Sequence, residues 1–483
     1  MRYALIYFLL LHFCFAQAQI RFNINLPIGI DTVADLGTKV IELRNNEFLS
    51  CGTTSGFMIN YNAAYLVKTD PYGNPIWKKQ FDFSIGGFDC FYDLVQLPDS
   101  NYIVTGTTTN TLTGDYDVIL AKIDTAGNLM WQKTYTHPDY DQAAALKLTP
   151  DGKIIIVGKT ESLGTYHDVL LIKTDLNGNL IWRKRFGNTF DEIYNSIEII
   201  KNNTEYLLGG RYGYSSSGTD YYDMSIMRTD TAGNIVWQQQ YGTVGGNEYG
   251  GIAISTLDSG YAICGIYNNS AAVLKINKFG AVQWNKNYGF PSNSFMRQVI
   301  QLKDSSFAMI ASSAYIPTNS LTAFLLKADK NGNQMWQRVY PGPTTIPNYF
   351  YGFNTTADKG FIMTGQYNHI GQPYQNMWLV KTDSLGCDSV TCSYLVTGME
   401  DLSYELGEMS LAPNPTNGLL TISSQNDFTK IDLLSLTGQI LLSETVDSKT
   451  HQLELQNFAE GIYFVRVSYA DGQSVTKKVI LSR

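Results

Sequence analysis

The chain of 483 residues is 44% hydrophobic, enough to bury large cores and longer than one ordinary domain. A formal net charge of −8 with only 16% charged residues excludes both a basic nucleic-acid face and a polyacidic tail. Thirty-two Tyr and 42 Gly favour an all-β extracellular protein over a helical one.

The first predicted element is a targeting segment. Arg2 supplies a positive start, Ala4–Phe15 an apolar run of 12 residues, and Ala16-Gln17-Ala18 a small-x-small site with cleavage expected between Ala18 and Gln19. Twelve residues fall short of the roughly 20 needed to span a bilayer, and no later stretch approaches that length, so no transmembrane segment is expected. Bulky Phe13 before Cys14 argues against a lipid-modified cysteine. The expectation is a signal peptide over 1–18 and an exported, soluble product.

A lone strand-like run, Ile20–Leu26, follows. Then one phrase recurs seven times, ending in Trp77, Trp131, Trp182, Trp237, Trp284 and Trp336 and cut off in the seventh copy at Gly386. Its basic residue steps from Lys68 to Lys122, Lys173, Arg228, Lys275, Lys327 and Lys381, at intervals of 54, 51, 55, 47, 52 and 54 residues. That period means a repeat architecture built from one supersecondary unit. In the third copy Ala143–Leu148, Lys153–Lys159, Asp168–Thr174 and Leu180–Phe186 read as four short strands, and the two middle ones are almost continuously apolar. Serial four-stranded sheets covered on both faces are propeller blades.

Within the phrase, the Asp is expected to cap a hairpin turn, the Gly to supply positive φ, and the following Asn to tolerate the same region. The Asp-x-Asn-Gly-Asn strings at Asp175 and Asp329 superficially suggest a calcium loop but lack its remaining oxygen ligands. Each Trp is expected to dock on the neighbouring blade, where its burial stabilises by up to roughly 4 to 6 kcal/mol. The seventh copy has three strands and no Trp strand, so Ile20–Leu26 is expected to complete it and leave no open edge. The prediction is a seven-bladed β-propeller over 19–386, closed by its N-terminal strand.

Five cysteines remain after cleavage, which leaves at least one thiol unpaired. Cys387 and Cys392 could form a local clasp, while Cys51 and Cys264 are expected as small buried residues inside strands. No second close cysteine pair or paired histidine completes a zinc site. No metal and no cofactor are expected.

After a linker over 387–410 the text changes, and residues 411–483 read as short alternating strands, a small Ig-like β-sandwich. Pro413-Asn414-Pro415 with Gly418, Gly438, Gly461-Ile462-Tyr463, and Lys477 and Lys478 near the end together resemble the type A C-terminal sorting domain of type IX secretion in Bacteroidetes. The resemblance implies passage across the outer membrane, partnership with the type IX machinery and a sortase, removal of the tail, and release or attachment at the cell surface. The repeats also resemble Trp-bearing repeats of secreted bacterial propellers. They are distantly similar to those of quinone-dependent alcohol dehydrogenases, but no vicinal cysteines are present to cover such a cofactor.

Loops joining the second and third strands carry Tyr166, His167, Tyr212, Tyr214, Tyr221, Tyr222, Tyr315, Tyr367, His369 and Tyr374, a surface suited to sugars or peptide. Catalytic motifs are absent: no Gly-x-Ser-x-Gly and no His-Glu-x-x-His occur. Asp191-Glu192 could in principle serve a glycosidase. Acceptors resembling Bacteroidetes O-glycosylation sites occur at Asp31-Thr32-Val33, Asp124-Thr125-Ala126, Asp230-Thr231-Ala232, Asp383-Ser384-Leu385 and Asp388-Ser389-Val390. The expected function is a secreted or surface-displayed, non-enzymatic binding module for a glycan or protein. The alternative is a polysaccharide hydrolase or lyase with its site at the central funnel.

Overall fold

The computed structural model describes residues 19–482 apart from 29–33, 56–61, 85, 137–139, 162–165, 202, 217–218, 289–293, 316–319, 341–347, 370–374, 390–394, 398–408, 436–439 and 470–473. The segment expected as a signal peptide, which ends at Ala18, and Tyr374, Cys392 and Gly438 therefore lie outside the described residues. The described residues are all-β and fall into two compact units, one ending at Leu395 and one beginning at Val396.

The first unit holds seven sheets, each built on four antiparallel strands in a propeller-like series. In the third sheet the strands are Asp141–Leu148, Lys153–Glu161, His167–Asp175 and Leu180–Phe186, within two residues of the sequence reading at every boundary. The central strands are buried on both faces, as their unbroken apolar text requires. Core side chains interdigitate between consecutive sheets: Ile103, Val118 and Leu120 of the second meet Leu146, Ile154 and Ile156 of the third.

The seventh sheet is assembled from both ends of the unit. Its own strands are Tyr349–Thr355, Phe361–Asn368 and Gln375–Thr382, and Phe22–Leu26 pairs antiparallel with the last of these. Phe22, Leu26, Val40, Phe48, Tyr65, Ile362 and Leu379 form one core cluster that joins the seventh sheet to the first.

Turn chemistry accounts for the repeated phrase. Asp70 Oδ1 accepts the backbone N–H groups of Tyr72 and Asn74, Gly73 takes φ 87°, and the Asn74 amide donates to Asp70 Oδ2 at 2.8 Å. The Asn therefore differs from expectation. It is not among the residues with positive φ and instead returns its side chain to the Asp. Asp124, Asp175, Asp230 and Asp329 are held the same way, and Asn277 takes the Asp's place in the fifth copy. Both carboxylate oxygens of Asp175 and Asp329 are thus engaged by protein N–H groups.

A partner for the repeated basic residue emerges only in three dimensions. Each one pairs with an acid in or beside the hairpin joining the first two strands of its own sheet. Lys68 pairs with Glu47 at 2.6 Å, Lys122 with Asp99 at 2.9 Å, Lys173 with Asp151 at 3.8 Å and Arg228 with Glu205 at 2.6 Å. The series continues with Lys275–Asp258 at 2.8 Å, Lys327–Asp304 at 3.1 Å and Lys381–Asp358 at 2.8 Å. Each such bond ties the end of the third strand to the turn of its sheet's first hairpin.

The second unit differs from a sandwich of two separate sheets. It is one five-stranded sheet in which two long strands, Leu419–Leu434 and Ile440–Glu454, bend over a shared core of Leu420, Ile422, Phe428, Ile431, Val465 and Val467. The sheet nearly closes on itself, because Thr416 bridges Leu481 and donates its N–H to Ile480 O at 2.8 Å. The segment expected as a linker contains a short strand, Leu395–Thr397.

Candidate functional site

The first strand of every sheet faces a common cavity of about 670 Å³, lined among others by Lys39, Asp93, Lys147, Glu198, Gln298 and Tyr351. Each first strand also carries a register irregularity, as between Gly37 and Lys39 or between Ala143 and Ala145, which bends the strand where it meets the axis. Opposite it lies a glycine such as Gly158, where an added Cβ would come within 1.9 Å of the Gln142 carbonyl oxygen. Sequence reasoning missed these second-strand glycines; their repetition in CGTT, TGTT and VGKT was the available signal.

Around the end of the sheets where second and third strands connect, aromatic side chains gather. Phe88, Tyr116, Tyr140 and His167 stack in series, with centroid separations of 5.5, 4.5 and 6.4 Å. Arg211 lies 4.7 Å from the Tyr222 ring and 5.3 Å from the Tyr249 ring. Arg297 lies 5.2 Å from Phe295, 5.8 Å from Tyr349 and 5.1 Å from Tyr351. A cup of about 430 Å³ lies against Arg211, Tyr249 and Phe295, and Asn195 lines both this cup and the axial cavity.

Asp191 organises one side of this surface. It accepts the His167 backbone N–H at 2.8 Å, contacts His167 Nδ1 at 3.1 Å and accepts Arg211 Nη2 at 3.3 Å. Burial works against its charge, but the His167 N–H bonds and the nearby cations hold the Asp191 carboxyl below its usual range. Its neighbour Glu192 is only 4% exposed, and burial followed by the Asp168 charge raises it to about 7. Asp223 is raised to about 6, first by burial and then by Glu248. Asp191 and Glu192 therefore occupy opposite environments rather than converging on one cleft.

The sequence-predicted residues divide into groups. Tyr166 donates to Asp220 at 3.0 Å, and His167 is linked to Tyr222 indirectly, through Asp191 and Arg211. Tyr214 and Tyr221 stack at 5.8 Å on the lengthened hairpin of the fourth sheet, and Tyr214 borders a separate hollow of about 280 Å³ with Tyr212 and Asp223. His369 packs on Tyr367 of the seventh sheet at 5.3 Å. Tyr315 ends a strand, Phe307–Tyr315. Arg211, Tyr249, Phe295, Arg297 and Tyr351 were not foreseen, because they lie within or at the starts of strands rather than in loops.

The repeated Trp residues sit on the outer strands, partly exposed except for Trp336, which is 8% exposed. Trp77 donates to Thr125 O at 3.3 Å in the second sheet's turn, and four residues after the Trp in three sheets a Tyr hydroxyl reaches the same turn of the next sheet. Tyr135 donates to Gly178 O at 2.8 Å, Tyr241 to Gly280 O at 3.0 Å and Tyr340 to Gly386 O at 2.7 Å. Cys51, Cys90 and Cys264 are buried free thiols, and Cys387 is disulfide-bonded. Among the described residues no cluster of three or more His, Cys, Asp or Glu is placed to hold a metal, and no helix is long and apolar enough to cross a membrane.

In the second unit Asn414 clamps the final strand, donating to Lys478 O at 2.8 Å and accepting from Ile480 N at 2.9 Å. Pro413 and Pro415 flank it, Gly418 and Gly461 have φ 138° and 156°, Tyr463 donates to Ala459 O, and Lys477 and Lys478 are exposed. Residues 410–482 match the secretion system C-terminal sorting domain family. That match marks a type IX secretion substrate, exported to the cell surface or released.

No curated protein matches the sequence. Among solved structures, similarity extends to a protein of unknown function from Bacteroides caccae, at 10% identity and TM-score 0.39, over 60% of this chain and 93% of that one. PorZ, an essential surface component of the type IX secretion system of Porphyromonas gingivalis, aligns at 10% identity and TM-score 0.30, over 92% of this chain and 81% of its own. Puromycin hydrolase aligns at 11% identity and TM-score 0.46, over 90% of this chain and 58% of its own.

Proposed function

We propose that the first unit is a closed seven-bladed propeller acting as a non-enzymatic binding module, delivered outside the cell by the sorting domain. The machinery and a sortase engage the tail, which is then removed. Binding occurs at the axial mouth on the loop side. One observation carries this reading: the Arg211 guanidinium, held against Tyr222 and Tyr249, borders a cup that shares Asn195 as a lining residue with the axial cavity. Rigid aromatic planes with fixed donors are suited to sugars or to a protein segment, and such concave sites are usually preformed.

The test combines a glycan array with a broad polysaccharide hydrolysis screen, using the mature protein and its Arg211→Ala/Tyr222→Ala variant. Binding without turnover, lost in the variant, supports the module. Turnover of any polymer favours a hydrolase or lyase instead.

A further inference from the structure

Resting on that reading of the axial mouth, we infer that its ligand is an acidic glycan, whose carboxylate or sulfate groups are bound by Arg297, with Lys147 as a deeper cation; Arg211, already paired with Asp191 at 3.3 Å, shapes the cup rather than supplying free charge. The inference comes from counter-ions. In the axial cavity Asp93 is already engaged, by Lys39 at 3.3 Å and by Leu146 N–H at 3.0 Å. Glu198 accepts both the N–H and the hydroxyl of Ser255 at 2.7 Å. Arg297 and Lys147, by contrast, have no carboxylate within ion-pair distance among the described residues. The Arg297 Nε is buried without a hydrogen-bond partner, although its guanidinium lies among Phe295, Tyr349 and Tyr351.

A cation held in place by aromatic planes and left without an anion keeps its planar fork free for a carboxylate or sulfate. Burial and then Lys39 hold Lys147 below the usual lysine range, a cost that an incoming anion would offset. Lys39 and Lys147 face Asp93 and Glu198 across the axial cavity, so the charge open to a ligand is that of the cations these acids do not pair with. A concave cup of about 430 Å³ with aromatic walls suits a compact sugar unit better than an extended peptide, which would need a sheet edge or groove.

The experiment titrates the mature protein with polygalacturonate, neutral dextran and poly-glutamate, at low and moderate salt, and repeats it with Arg297→Gln and Lys147→Met. Expected is at least ~10-fold tighter binding of polygalacturonate than of dextran, weakening severalfold as salt screens the charges. Arg297→Gln should reduce affinity ~10-fold with an unchanged melting temperature, and Lys147→Met less. Equal binding of dextran, insensitive to salt and to both substitutions, overturns the acidic assignment and leaves the binding module standing. Equal binding of poly-glutamate shows that charge rather than sugar is recognised and also overturns it. No binding of any polymer here or on the array removes the underlying reading as well.

Discussion

The Trp378 indole donates its N–H to Asn23 Oδ1 at 2.7 Å, across 355 positions of sequence. Trp378 is 1% exposed, so this bond satisfies a buried donor with a group from the opposite end of the first unit. Asn23→Ala should cost ~1 to 3 kcal/mol by orphaning that donor, and Asn23→Asp should recover little of it, since the retained acceptor comes with a carboxylate set against Asp388 Oδ2, to which the Asn23 amide donates at 2.7 Å. Denaturant titration of the two variants checks this; equal stabilities to wild type would show that the bond contributes nothing to closing the seventh sheet.

Trp182 packs on the turn of the following sheet, where a Cβ added at Gly233 would lie 2.8 Å from its ring and the backbone has φ 77°. Because the indole is only partly buried, Trp182→Ala is expected to cost ~2 to 3 kcal/mol, at the low end for aromatic truncation. Gly233→Ala should cost ~1 to 2 kcal/mol from positive φ and crowding. The double variant should be less destabilised than the sum, since removal of the ring relieves the crowding; strict additivity in chemical denaturation would show that the two do not touch.

Lys275 is 3% exposed and donates to Asp258 at 2.8 Å, Gln283 at 2.6 Å and Ile276 O at 3.0 Å. Lys275→Ala is predicted to lose ~2 kcal/mol, through abandoned hydrogen bonds and lost stem packing. The equivalent Lys122→Ala should lose less than ~1 kcal/mol, because the Lys122 side chain is 16% exposed against 4% for Lys275, while their acid partners are both half exposed. Calorimetry on both separates the cases, and equal losses would mean that burial does not set the strength of these pairs.

Glu192 has a folded-state pKa of about 7, raised by burial and then by Asp168 above its ordinary 4.5. The folded chain therefore binds more protons than the unfolded chain between those values, so stability falls as pH rises from 4.5 to 7 and the loss is complete above 7. Asp223, raised to about 6, acts in the same direction. Glu192→Gln should flatten the decline and gain on the order of 1 to 3 kcal/mol at pH 8 relative to wild type. Denaturation midpoints at pH 5 and 8 decide it: an unchanged slope in the variant would exclude Glu192 as the titrating group.

The regular parts of the fold were legible because they depend on short-range chemistry. Strand boundaries in the third copy were read to within two residues, since Asp, Gly and apolar runs act on neighbours in sequence. The Asn of the phrase was misjudged: its side chain returns to an Asp four residues back, so a side-chain bond replaces the backbone conformation expected of it. The loop tyrosines were found from composition, yet they fall into separate groups on different sheets, because composition carries no azimuth.

The sequence alone determined the repeat, its four-strand unit, the hairpin turns and the sorting tail, each written in contiguous residues whose local preferences agree with the final structure. Only the tertiary structure decided which acid neutralises each repeated Lys or Arg, that the tail is one bent sheet, and that Arg211 and Arg297 each lie against a ring from the following sheet. Those outcomes join residues from separate strands and sheets, and their positions depend on how each sheet is packed against the next, a property that no single repeat contains.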